Sequence, residues 1–210
     1  MTDSPILAAA RRDAVAAQLA RRVRWLAPDF QARDLRMGES FPVFTLRAHD
    51  VALGHRIRRL HNRVRATGRW YHQIRAGGKA VFVAQSGPDD EGGWTVLNVF
   101  GAALAAHIGA AIAGIDRDLP EAGLARILLV PERQAIFFWI EQPGADRLVP
   151  VSAESLPSLS SPGRPATVHL MLTRLFGDYR EKAQPLRVRR PPRRSRLPRR
   201  RASAPVPSSS

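Results

Sequence analysis

Leu7, Val15, Leu19, Val23 and Leu26 recur near the period of about 3.6 expected of one helix face, with arginines between them, which predicts an N-terminal helix over residues 5–25. Ser4 is placed to cap it, Pro5 to occupy its first turn and Pro28 to end it. Leu53, Ile57, Leu60 and Val64 repeat at steps of four, three and four, and Asp50 stands where an N-cap belongs, which predicts a second helix over 50–65 that stops near Gly68. The period then changes. Residues 70–75 and 80–85 are rich in β-branched and aromatic side chains about Ala76-Gly77-Gly78, a hairpin signal. A polar, acidic loop over 86–93 leads into a third strand over 94–100 and an Ala-rich helix over 102–115, with Leu104, Ile108, Ala111 and Ile115 inward.

The remaining pattern is a meander. Strands are predicted at 126–130 and 135–141 about Pro131-Glu132-Arg133-Gln134, and at 147–151 after Pro143-Gly144. Residues 152–165 are rich in Ser and Pro and read as a linker, and 168–176 as a short helix with Gly177 as its stop. Residues 28–47 have no clean period and read as a connector that packs Phe41 and Phe44 onto the core. These elements predict an α+β domain: an antiparallel sheet of about five to six strands with helices on one face. The expected divisions are 1–47 as helical extension and connector, 48–179 as core domain and 180–210 as a disordered tail. By element order alone, and without a shared residue motif, the arrangement resembles small sensor and scaffold folds, the roadblock type more than the PAS type.

Charge divides the chain as sharply as hydrophobicity. Nine of the fifteen residues over 187–201 are arginine, none is acidic, and Pro191, Pro192 and Pro198 interrupt them, so the segment is expected to be solvated and extended. From residue 180 onward eleven basic residues stand against Glu181 alone, which places ten of the fifteen net positive charges outside any core. Lys79 and Lys182 are the only lysines, and a chain this rich in Arg, Ala and Pro points to a GC-rich coding sequence as a second source of its arginine. With no cysteine there is no disulfide, thiolate zinc site or thiol nucleophile. The apolar run over 6–10 is too short for a signal-peptide core, so a cytoplasmic location is the expectation. The uncharged stretch 94–115 has the length of a membrane span, but its Ala and Gly content and the polar Asn98 and His107 favour a strand followed by a buried helix.

Most catalytic signatures fail on residues. Gly77-Gly78-Lys79 has Gln73 where a phosphate loop needs its first glycine and Ala80 where it needs Ser or Thr. Ser86 lacks the first glycine of a nucleophile elbow and leaves a hairpin rather than entering a helix. His55 and His61 are six apart and do not share a helix face, and Asp89, Asp90 and Glu91 lie in a Gly-rich loop, so neither a metal site, a cofactor nor a carboxylate pair is expected. An enzyme would instead show a closed pocket with His72 or His107 beside a carboxylate.

Basic residues carry the positive expectation. On the predicted second helix Arg56, Arg59 and Arg63 form a ridge, extended by Arg69, Trp70 and Arg75 in the hairpin, and guanidinium interleaved with aromatic rings suits a nucleic-acid backbone and its bases. Arg187, Arg189, Arg190, Arg193, Arg194, Arg196, Arg199, Arg200 and Arg201 add a sequence-independent attraction to phosphate. The expected function is a non-enzymatic binding or regulatory protein that contacts nucleic acid or another polyanion. The alternative is a dimeric sensor or scaffold that binds a protein or small molecule.

Overall fold

The computed structural model describes residues 9–26, 34–51, 57–153 and 163–182. Helix α1 (Ala9–Leu26) precedes strand β1 (Leu35–Thr45) and a single turn of helix, α2 (Ala48–Val51). Strands β2 (Arg65–Ala76), β3 (Lys79–Pro88) and β4 (Trp94–Phe100) follow as a meander. Helix α3 (Ala102–Asp118) leads to a second meander of β5 (Ala125–Val130), β6 (Ala135–Ile140), β7 (Arg147–Ala153) and the two-residue β8 (Ala166–Thr167), and α4 (Val168–Lys182) closes the order.

All eight strands form one sheet in the order β4-β3-β2-β1-β5-β6-β7-β8. The chain is α+β, as the patterning predicts, but the sheet is larger than expected and mixed. Every neighbouring pair is antiparallel except β1 and β5, which run parallel through Val43↔Ile127, Phe44↔Leu128 and Thr45↔Leu129. Helix α3 supplies the crossover that a parallel pair requires.

Helices cover both faces, which corrects the expectation of one. Ile127, Phe138, Ile140 and Val149 pack with Ala105, Ile108, Ala111 and Ile115 of α3, whereas their neighbours Leu128, Phe137, Trp139 and Leu148 pack with Val168, Met171, Leu172, Leu175 and Phe176 of α4. Successive strand residues point to opposite faces, so β6, apolar at every position, is buried on both. At the other end of the sheet Val83 faces α3, while Ala84, Ile74 and Val96 face Val15 and Leu19 of α1. Helices α1 and α4 therefore share one face and α3 holds the other.

Three local expectations are overturned. The segment 28–47 holds a central strand, β1, hidden in the sequence by Gly38 and Pro42; the strand accommodates them with register shifts between Met37 and Ser40 and between Pro42 and Phe44. The helix over 50–65 does not form beyond Val51 among the described residues: 57–64 is irregular and Arg65 already belongs to β2. Ile57 and Leu60 are buried as their spacing implies, but Asp146 holds their segment instead of a helical ladder. Its Oδ2 accepts the Leu60 N–H at 2.8 Å, and its own N–H donates to the Arg58 carbonyl at 2.9 Å. Gly177, expected as a stop, lies inside α4.

Candidate functional site

The basic ridge expected on one helix is dispersed. Arg56 and the tail arginines over 187–201 lie outside the described residues. Arg59 is exposed on the irregular segment, and Arg63 is turned inward, its Nη1 donating to the Asp50 carbonyl at 2.8 Å. Arg69 is exposed on β2, with Trp70 half-buried beside it. Arg75 lies six residues further along the same strand, roughly 20 Å away at the rise of a β-strand, and its Nε donates to Gln73 Oε1 at 2.7 Å. Among the described residues Arg59 and Arg69 have no hydrogen-bond or ion-pair partner for their guanidinium groups, while Arg63 and Arg75 are occupied within the fold.

A second group of exposed arginines appears instead on α1. Val15 and Leu19 are buried, and Arg11, Arg12 and Arg22 flank them on the same side of the helix while Arg21 lies opposite; all four are exposed, with Asp13 as the one acid among the helix residues. The docking of this helix is set by Gln18. Its Nε2 donates to the Trp94 carbonyl at 3.1 Å and its Oε1 accepts the Val96 N–H at 2.8 Å, so one carboxamide satisfies β4 backbone groups as a neighbouring strand would. Thr95 Oγ1 donates to the same Oε1 at 2.9 Å. Arg11 lies over the Trp94 ring at 4.6 Å, and Arg12 Nη2 reaches the Gly38 carbonyl at 3.5 Å. These arginines are visible in the sequence between the apolar positions of the first helix; its docking on β4 is not, because Gln18 carries no sequence signal for edge capping.

Beneath α1 lies a buried polar chain. His72 and Ser86 are both fully buried, with His72 Nε2 at 2.6 Å from Ser86 Oγ and Nδ1 at 2.9 Å from Ser40 Oγ. Trp94 Nε1–H donates to Ser86 Oγ at 3.0 Å. If the Ser86 hydroxyl hydrogen is to have an acceptor, it must point at Nε2, which places the imidazole proton on Nδ1 and directs it at Ser40. Burial, reinforced by the Arg12 charge, lowers the His72 pKa to about 4, so the ring is neutral near pH 7. A serine that donates to an imidazole is the geometry of an activated nucleophile. Here Ser40 takes the place of an orienting carboxylate, and both His72 and Ser86 are fully buried.

The other sequence candidates for chemistry are also accounted for. His49, His61 and His107 are exposed, and His55 lies outside the described residues. Asp89 Oδ1 accepts the Glu91 N–H at 3.2 Å and the Gly93 N–H at 2.6 Å, which closes the acidic loop as an Asx turn. Among the described residues no cluster of His, Asp and Glu could hold a metal ion, and no helix is long and apolar enough to cross a membrane.

A second cationic feature has no counterpart in the sequence pattern. A cleft of about 590 Å³ is lined by Arg117, Asp118 and Leu119 at the end of α3, Arg147 at the start of β7, and Arg164 and Pro165. Arg117 grips Asp118 with two guanidinium nitrogens, at 2.9 and 3.4 Å, and these hydrogen bonds, with a further contribution from Arg164, hold the Asp118 carboxyl below its ordinary pKa. Arg147 and Arg164 have no ion-pair partner among the described residues, and Arg147 Nε is buried without a hydrogen-bond acceptor. No protein-family profile, curated protein or solved structure matches the chain, so the site is read from its own chemistry.

Proposed function

We propose that this chain is a non-enzymatic binding protein that contacts nucleic acid through the exposed arginines of α1, with the arginine-rich segment 187–201 adding range and association rate. The observation that carries this reading is the helix itself, with four exposed arginines against one aspartate on an element that Gln18 anchors to β4. Arg11 and Arg22 are eleven positions apart, about 16 Å along a helix, a span that meets several successive phosphates. Arg59 and Arg69 are secondary contacts in this reading. Arg63 and Arg75 contribute to folding first, since their guanidinium groups are hydrogen-bonded within the domain, and Trp70 is a half-buried strand position.

Binding of duplex and single-stranded nucleic acid across a salt series tests it. Arg21→Gln with Arg22→Gln is expected to reduce the slope of log K against log salt by about 0.7–0.9 for each phosphate that is no longer neutralised. An unchanged slope in that variant would remove α1 from the interface.

A dimeric scaffold is the second reading, favoured by one observation. The solvent side of α3 presents Ala103, Ala106, Ala110 and Ala113, a face on which a second copy could approach closely. Light scattering on Ala106→Arg decides it: this reading requires a dimer in the parent chain and its loss in the variant.

A further inference from the structure

We propose that the arginine cleft at the end of α3 is a binding site for a small phosphate-bearing molecule, separate from the nucleic-acid contact assigned to α1. Its volume, about 590 Å³, lies within the range of roughly 300–1,000 Å³ typical of small-molecule sites. Three guanidinium groups from three segments of the chain meet Asp118 alone, which leaves two positive charges uncompensated among the lining residues. That balance suits a phosphomonoester, which carries about −1.5 to −2 at neutral pH and whose oxygens match the guanidinium fork.

The backbone fixes this convergence. Arg147 opens β7, paired with Ile140 on one side and Thr167 on the other. Arg164 follows Gly163, whose positive φ of 83° and N–H bond to the Pro150 carbonyl at 3.3 Å set the direction of the chain. Gly163 also lies directly on α3: a Cβ at Gly114 would collide with the Gly163 carbonyl, so glycine at 114 is what allows Arg164 to sit beside Arg117 and Asp118. The C-terminal end of α3 favours positive charge and so holds the guanidinium groups at this end of the helix. It offers no free N–H donors, so an anion must be held by Arg147 and Arg164, with Arg117 released only as Asp118 yields.

Calorimetry on the full chain at constant ionic strength tests the proposal, with AMP, inorganic phosphate, succinate and adenosine as probes. AMP is expected to bind and adenosine not to. Arg147→Gln with Arg164→Gln should weaken AMP by at least about tenfold, as removal of two charge-assisted hydrogen bonds implies. Arg164→Gln alone, at an exposed position, should weaken it measurably and keeps the test valid if the double variant does not fold. Asp118→Asn should strengthen binding. Arg21→Gln with Arg22→Gln should leave AMP affinity unchanged, which separates this site from the α1 contact. Unchanged AMP affinity in both the double and the Arg164→Gln variants would assign binding to another basic segment and overturn the proposal. So would succinate binding as tightly as AMP, or failure of both AMP and phosphate to bind.

Discussion

Gln18 is a single side chain that does the work of a strand. Its carboxamide occupies the Trp94 carbonyl and the Val96 N–H, while the Val99 N–H is taken by Asn98 Oδ1 at 2.8 Å, so three backbone groups of β4 are already engaged. Open edges recruit other chains, and this one has no charged residue or proline along its length to prevent it. Gln18→Leu is therefore expected to cost about 1–3 kcal/mol, the cost of unsatisfied buried polar groups, and to raise concentration-dependent aggregation. Chemical denaturation and light scattering measure the two effects. His72 gives a second expectation at this scale. Its pKa is near the ordinary 6.5 when unfolded and about 4 in the fold, so between those values the unfolded state binds the proton first. The contribution of neutral His72 is complete above pH 6.5 and is lost as pH falls toward 4, a loss of roughly 3 kcal/mol by linkage. Unfolding free energies measured from pH 7 to 4 should show this slope, and His72→Gln should flatten it.

At the scale of elements, legibility follows the strength of local punctuation. The β2–β3 hairpin is readable because Gly77 and Gly78 both take positive φ, 54° and 81°, as a two-residue hairpin turn of this hand requires. Gly78→Ala is expected to destabilise by about 1 kcal/mol, because an L-residue pays for left-handed backbone, whereas Gly77→Asn should be nearly neutral; thermal unfolding distinguishes them. Strand β4 and helix α3 are also readable, since Gly92-Gly93 and Gly101 separate their periods. Strand β1 is not. Its glycine, proline and two register shifts are tolerated because β2 and β5 pair with it on either side, and its β5 partner lies 84 residues further on, Val43 against Ile127. The segment 57–64 misleads for a similar reason. Its helical spacing of Ile57, Leu60 and Val64 is real, but Asp146 lies 86 residues from Leu60 and captures the backbone that a helix would have used. Asp146→Ala should cost about 3 kcal/mol or more, with Asp146→Asn milder, because the Trp139 Nε1–H at 2.9 Å and the Leu60 N–H would both be left without their acceptor; chemical denaturation ranks the two variants. The arginine cleft is beyond the sequence for the same reason, since the Gly114–Gly163 contact brings Arg164 to Arg117 and the pairing of β7 brings Arg147 there.

For the molecule as a whole, one sheet carries positive charge at both ends, α1 at the β4 end and the cleft on the side of β7 and β8. A chain ending at residue 182 should keep its melting temperature but lose nucleic-acid affinity most at low salt, where the phosphate attraction of 187–201 is least screened; calorimetric melting and a salt series measure each half of that expectation. The parallel junction of β1 with β5 has a separate consequence. Val43 meets Ile127, 84 residues later, so during synthesis one side of β1 stays bare until β5 has left the ribosome. At about 5–20 residues per second that interval lasts several seconds, with a half-built sheet exposed to every other nascent chain nearby. Yield in a cell should therefore respond to anything that slows translation between these two strands, even where the finished protein is unchanged.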